Sequence, residues 1–118
     1  MKRDMDKVRN ILLALEERQK PYFMMMNPEL IGGIQSTGEM VEYILMLRSG
    51  GLLDEQGGQT YRISWRGHEF LDSVRDPEIW SKTKEGVAKV GAFSFGMIAE
   101  IAIGYAKAKA ASLGLPMI

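Results

Sequence analysis

An α+β fold with helices in the majority is what this sequence predicts, and three observations carry the expectation. Apolar residues recur at three- and four-residue steps over several separate stretches, the mark of amphipathic helices. One stretch of strand-forming residues, Thr60-Tyr61-Arg62-Ile63, follows the apolar pair Leu52-Leu53 across a Gly-rich turn, which reads as a single β-hairpin. The chain has 118 residues, a length that suits one compact unit able to build its own core.

Each element has its own local cause. Residues 4–19 form the first predicted helix, with Met5, Val8, Ile11, Leu12 and Leu15 on one face and Asp4 placed to cap its start. Pro21 ends that helix, and Pro28 with Gly32-Gly33 leaves residues 20–36 irregular. The run Tyr22-Phe23-Met24-Met25-Met26 lies inside this segment. It reads first as core filler, because unbranched thioether side chains fit uneven gaps, and the same adaptability would suit a binding lip. A second helix is expected over residues 37–49, capped by Thr37 and lined by Met40, Val41, Ile44, Leu45 and Leu47. Gly50-Gly51 supplies the left-handed stop that helix ends favour.

Leu52-Leu53 then opens the hairpin and Glu55-Gln56-Gly57-Gly58-Gln59 turns it. A third helix over residues 65–75 takes Ser64 as its cap and buries Phe70, Leu71 and Val74. Asp76-Pro77 begins a fourth, the acid capping and the proline at the first helical position, where its missing N–H costs nothing. After Gly91, Ser94 caps a last helix over residues 95–112. Its charges are Glu100, Lys107 and Lys109, while Phe95, Met97, Ile98, Ile101, Ile103 and Tyr105 cover most of its circumference. A helix apolar nearly all round is buried from several sides. With Ala102, Ala106 and Ala110 letting another helix come close, the sequence predicts a homodimer whose seam holds Phe95, Ile98, Ala102, Tyr105 and Ala106. Burial inside the monomer is the alternative.

A helix leading through Gly-Gly-Leu-Leu into a hairpin is the layout of a winged helix-turn-helix whose hairpin is a two-stranded wing. The expected organisation is therefore a winged-helix part over residues 1–75 and a C-terminal helical extension for dimerisation over 76–118, one compact unit overall. Several stretches also carry a resemblance: Met1-Lys2-Arg3-Asp4-Met5-Asp6, the segment Val41-Glu42-Tyr43-Ile44-Leu45-Met46-Leu47 leading to Gly50-Gly51-Leu52-Leu53, Ser64-Trp65-Arg66-Gly67-His68-Glu69-Phe70-Leu71-Asp72, Val74-Arg75-Asp76, and Ile79-Trp80-Ser81-Lys82-Thr83-Lys84. Over roughly residues 1–105 the chain resembles a bacterial and phage family of small domains of unknown function that begin Met-Lys-Arg-Asp-Met-Asp and are similar to winged-helix proteins. The resemblance implies a fold and no activity. By likeness to the broader ArsR- and PadR-type regulators, the helix before the Gly-Gly-Leu-Leu stop would be the one that reads DNA. Ile44 stands where members of the resembled family commonly have His, and Gly50 where they have Ala.

Composition removes much chemistry. Without cysteine there is no disulfide framework, thiolate metal site or Cys nucleophile, and one histidine, His68, excludes multi-histidine metal centres. His68 and Asp72 stand four residues apart on one helix, the spacing of an oriented base, but no nucleophile accompanies them. Local packing is the stronger reading of His68. None of the Gly pairs leads into the Gly-Lys-Ser/Thr pattern that cradles phosphates. No enzyme and no cofactor is expected. The charged opening lacks the apolar stretch of a secretory signal, and Glu100 interrupts the apolar run 90–106, so a cytoplasmic protein outside the membrane is expected. Trp65, Phe70 and Trp80 read as core or interface aromatics, Trp80 against the terminal helix.

Net charge is zero, unevenly spread. Between Lys20 and Arg62 the one cation is Arg48, against Glu29, Glu39, Glu42, Asp54 and Glu55. Phosphate neutralisation dominates DNA affinity, so the acidic second helix, with Glu39 and Glu42 on its outer face, is poorly matched to a duplex. Lys2, Arg3, Arg48, Arg62 and Arg66 are the candidate DNA-contacting cations. Two readings stay open: a homodimeric winged-helix transcriptional regulator that binds double-stranded DNA, and a protein-interaction or adaptor module that does not.

Overall fold

The computed structural model describes residues 4–18, 23–24, 30–58, 60–90 and 94–114. It is mostly helical with a small antiparallel sheet, an α+β fold. The elements in order are α1 (Met5–Glu16), β1 (Phe23–Met24), α2 (Thr37–Ser49), β2 (Leu53–Glu55), β3 (Thr60–Ile63), α3 (Trp65–Val74), α4 (Pro77–Val90) and α5 (Phe95–Ser112). Two compact units divide the chain, Met1–Leu71 and Asp72–Ile118, with the division inside α3.

In the first unit the hairpin β2–β3 pairs Leu53 with Ile63, Asp54 with Arg62 and Glu55 with Tyr61. The two-residue β1 adds to the free side of β3, Phe23 opposite Tyr61 and Met24 opposite Thr60, giving the order β1-β3-β2. A strand thus lies where the sequence predicts only irregular chain. Two residues are too few to show alternation, and their pairing partner lies far along the sequence. Tyr22, Met25 and Met26 lie outside the described residues, as does the side chain of Met24.

Helix ends follow their capping residues. The Asp4 side chain accepts the N–H groups of Asp6 and Lys7, as expected. For α2 the cap is Ser36 rather than Thr37, its hydroxyl accepting the Glu39 N–H at 3.2 Å while Thr37 is the first helical residue. The helix ends in a Schellman motif: Gly51 takes φ +81°, its N–H donates to Arg48, and the Leu52 N–H donates to Leu47 at 2.8 Å. Val8, Ile11, Leu12 and Leu15 of α1 are buried, as are Met40, Tyr43, Ile44 and Leu47 of α2, Leu52, Leu53, Tyr61, Phe70 and Leu71. Two positions on α2 differ from the expected stripe. Leu45 is exposed, and Tyr43 is buried instead, its hydroxyl accepting the Asp4 N–H at 3.0 Å. Gly32 has φ +69° and a Cβ there would stand 2.6 Å from Ile11 Cγ1, so only glycine fits against α1.

The second unit is an antiparallel pair of helices. Asp76 caps α4 by accepting from Glu78 and Ile79, and Ser94 caps α5 by accepting from Met97. Lys109 near the end of α5 reaches back to Asp76 at 2.9 Å and to Glu78 at 3.5 Å. Trp80, Thr83, Ile98 and Ala102 are buried. The Thr83 hydroxyl donates to the Ile79 carbonyl, and among the described residues no buried side-chain nitrogen or oxygen lacks a hydrogen-bond partner. No described helix is long and apolar enough to cross a membrane.

Candidate nucleic-acid interface

The chain turns from α2 through the hairpin into α3 at a junction of short hydrogen bonds. Ser64 holds it: its backbone N–H donates to the Leu52 carbonyl at 3.0 Å, its hydroxyl donates to the Gly51 carbonyl, and the same oxygen accepts the Gly67 N–H at 2.9 Å. Gly67 brings the first turn of α3 directly onto this backbone. A Cβ there would lie 2.2 Å from the Leu52 carbonyl oxygen and 2.8 Å from Ile63 Cγ2, so the close approach requires glycine. These contacts fix the surface beside them.

On that surface Arg66 runs alongside Gly51, its Cδ 3.5 Å from where a Cβ of that residue would be. Arg62 projects from the exposed face of β3, opposite Asp54 in the ladder. Among the described residues neither Arg62 nor Arg66 has an ion partner. Arg48 does: its Nη2 is 3.0 Å from Glu55 Oε2, a bridge from the end of α2 to the hairpin. Between them lies a shallow depression of about 530 Å³ lined by Arg48, Gly51, Leu53, Asp54, Glu55, Gln56 and Gly57. Trp65, the first residue of α3, is 81% exposed and lies outside the core, which leaves the interface side of the expectation for that aromatic, whereas Phe70 and Trp80 are buried.

The outer face of α2 carries Gly38, Glu42, Leu45 and Ser49, with Arg48 beside them. Glu39 does not belong to that face. Its carboxylate takes the Lys7 ammonium at 2.6 Å, tying α2 to α1, and this hydrogen bond raises the Lys7 pKa above its ordinary value. The free face of α2 is therefore less acidic than the sequence implies, with Glu42 the remaining carboxylate. Ile44 is fully buried, so that position contributes to the core and not to a reading face.

Other predicted site residues fall elsewhere. Lys2 and Arg3 lie outside the described residues. His68 and Asp72 do not form a pair: His68 Nδ1 sits 4.0 Å from Glu16 on α1, and Asp72 takes Arg75 at 2.8 Å. No group of three or more His, Asp or Glu that could hold a metal ion occurs among the described residues. Ile98 and Ala102 of α5 are covered within the chain, and Tyr105 and Ala106 are half-buried. The side chain of Phe95 lies outside the described part. The sequence names Trp65 as a core or interface aromatic without deciding between the two, and the fold leaves it outside the core.

Comparison with known proteins gives kinship without an activity. Residues 2–94 match the model of a family described as a hypothetical protein (DUF2513). An uncharacterised protein of Haemophilus influenzae is 33% identical over 93 residues, covering 71% of this chain and 76% of the relative. No solved structure matches.

Proposed function

We propose, for a chain that belongs to the DUF2513 family of hypothetical proteins, a non-enzymatic, homodimeric winged-helix regulator that docks double-stranded DNA through the wing side of its first unit. Support for the winged helix comes from the order α1, β1, α2, then a hairpin, and from the sheet order β1-β3-β2. The observation that carries the DNA reading is the pair Arg62 and Arg66. Both are exposed, both lack a carboxylate partner among the described residues, and both stand on a junction fixed by Ser64 and Gly67. Preset cations meet phosphates without first giving up an internal ion pair. In this reading Arg48, tied to Glu55, contributes less, and α2 meets the groove with Glu42 as the carboxylate facing the duplex.

Fluorescence anisotropy with mixed-sequence duplex DNA, titrated from low to physiological salt, tests this. The expected result is binding that weakens linearly on a log–log salt plot, with Arg62→Glu and Arg66→Glu each lowering affinity at low salt while circular dichroism is unchanged. Each lost phosphate contact reduces the salt slope by about 1. No binding at low salt sinks the proposal, and unchanged affinity in both variants removes the wing from it.

Protein docking is the second reading, and Trp65 favours it. A tryptophan 81% exposed on a rigid junction has the character of an interface anchor, since aromatics carry much of the energy at protein contacts. Loss of partner capture on Trp65→Ala, with DNA binding absent, would decide for it.

A further inference from the structure

α5 is apolar nearly all round, yet among its described residues one side is covered and the other is not. Ile98 and Ala102 are buried, and Ile101 and Tyr105 lie across Gly86 of α4, 3.2 and 3.4 Å from where a Cβ there would be. The opposite side is bare: Gly96, Glu100, Ile103, Gly104, Lys107 and Ala111 are all exposed, Ile103 to 45%. At 3.6 residues per turn these six positions fall within an arc of about 100°. Among the described residues neither Glu100 nor Lys107 has an ion partner in the chain. Among the described residues a Cβ built at Gly104 meets nothing within 4 Å, so none of their contacts explains a glycine in mid-helix, where glycine costs helix stability relative to alanine.

The order of these residues says what covers them. Reversing the helix end for end about the point between Ile103 and Gly104 brings Gly96 opposite Ala111, Glu100 opposite Lys107 and Ile103 opposite Gly104. Every charge meets its opposite and the bulky side chain meets the residue with none. We propose that this face pairs antiparallel with the same face of a second copy, about a two-fold axis between Ile103 and Gly104. An isologous contact demands such self-complementarity. Glu100 of each copy meets Lys107 of the other, and Ile103 of each packs over Gly104 of the other, where the missing side chain lets the helices approach. The seam spans about 24 Å of helix. It gives the dimer of the preceding reading a surface, and it differs from the seam expected at Ile98 and Ala102.

Sedimentation equilibrium in the absence of DNA, run over a range of protein concentrations, tests the seam without involving the DNA reading. The expected mass rises with concentration from that of one chain to twice it. Glu100→Lys turns both attractions into repulsions and raises the dimer Kd at least about tenfold. Lys107→Glu does the same, and an equimolar mixture of the two variants restores the dimer, because every Lys then faces a Glu. Both positions are exposed, so helicity by circular dichroism stays unchanged. The absence of cysteine makes orientation measurable. In a glutathione redox buffer, whose oxidised form takes the two electrons, a Glu100→Cys chain mixed with a Lys107→Cys chain forms the mixed disulfide in preference to either self-disulfide. A chain monomeric at every concentration, a dimer indifferent to Glu100→Lys, or preferential self-linking of the Glu100→Cys chain each overturns the proposal.

Discussion

The two units of this chain use glycine against a helix in opposite ways, and the contrast shows where rigidity resides. In the first unit Gly67 lets a helix rest on backbone, with the Leu52 carbonyl 2.2 Å from where a Cβ would stand. In the second, Gly86 of α4 faces the tips of side chains, Ile101 Cγ2 at 3.2 Å and the Tyr105 hydroxyl at 3.4 Å. Backbone held by Ser64 on both sides has nowhere to move, whereas side-chain ends rotate. The first unit is therefore a fixed platform that carries Arg62, Arg66 and Trp65, and the second is a helical hairpin that tolerates adjustment.

The comparison breaks most readily at those two glycines. Gly67→Ala is expected to destabilise the protein by about 2–4 kcal/mol, as overpacking against an immobile backbone does. Gly86→Ala is expected to change stability by less than about 1 kcal/mol, because the gain in helix propensity offsets a small shift of Ile101 and Tyr105. Urea denaturation of both variants checks the pair. Equal losses would mean that the junction is no more rigid than the hairpin.

The difference also explains which parts were legible in the sequence. Helix boundaries set by one local residue were readable, since Asp4, Gly51, Ser64, Asp76 and Ser94 all act as their chemistry predicts, while at α2 the neighbouring Ser36 takes the capping role expected of Thr37. Long-range choices were not. The strand Phe23–Met24 exists only because β3 is there to receive it, Tyr43 is buried where Leu45 was expected because its hydroxyl meets the start of α1, and Glu39 leaves the outer face because Lys7 claims it. Of the candidate interface, Arg62 and Arg66 were identifiable by charge, but that they stand unpaired among the described residues while Arg48 is tied to Glu55 is a property of the folded hairpin. The sequence of α5 is apolar nearly all round, and which side the chain itself covers depends on α4.

A smaller effect is expected from pH, and it separates the units by the group responsible. The Asp76 carboxyl is held below its ordinary value, first by the hydrogen bond from Lys109 and then by the Ile79 N–H. A carboxyl depressed in the folded state contributes stability that is complete above its unfolded value and lost as pH falls through the folded one. Lys109 is raised by the same contact, so its contribution is complete below the ordinary lysine value and lost at higher, alkaline pH. The α4–α5 hairpin should therefore loosen below about pH 4. Asp76→Asn keeps a capping side chain but removes the charge. The difference in melting temperature between wild type and Asp76→Asn should be small, since the pair is exposed to solvent and screened by salt, and should shrink as pH drops. A difference that persists in full at pH 3 would assign it to the cap and not to Lys109.

The smallest perturbation reads each unit through its own tryptophan. Trp65 is 81% exposed in the first, and Trp80 is 5% exposed in the second, with Lys84 Nζ 5.8 Å from its ring centre. A Trp80→Phe chain leaves the emission of Trp65 alone, and a Trp65→Phe chain leaves that of Trp80. Acrylamide should quench the first strongly and the second weakly, with the first emitting at longer wavelength because water relaxes around the exposed indole. Replacing Trp65 should leave stability within about 0.5 kcal/mol, as surface changes do, while Trp80→Phe should cost more by removing buried ring area. Weak quenching of Trp65 in the DNA-free protein would mean that something covers the junction in solution. Repeating the quench on dilution then tells whether a second copy is the cover, and a Trp65 that becomes accessible only on dilution would place the proposed seam on the β2–β3 hairpin side instead of on α5.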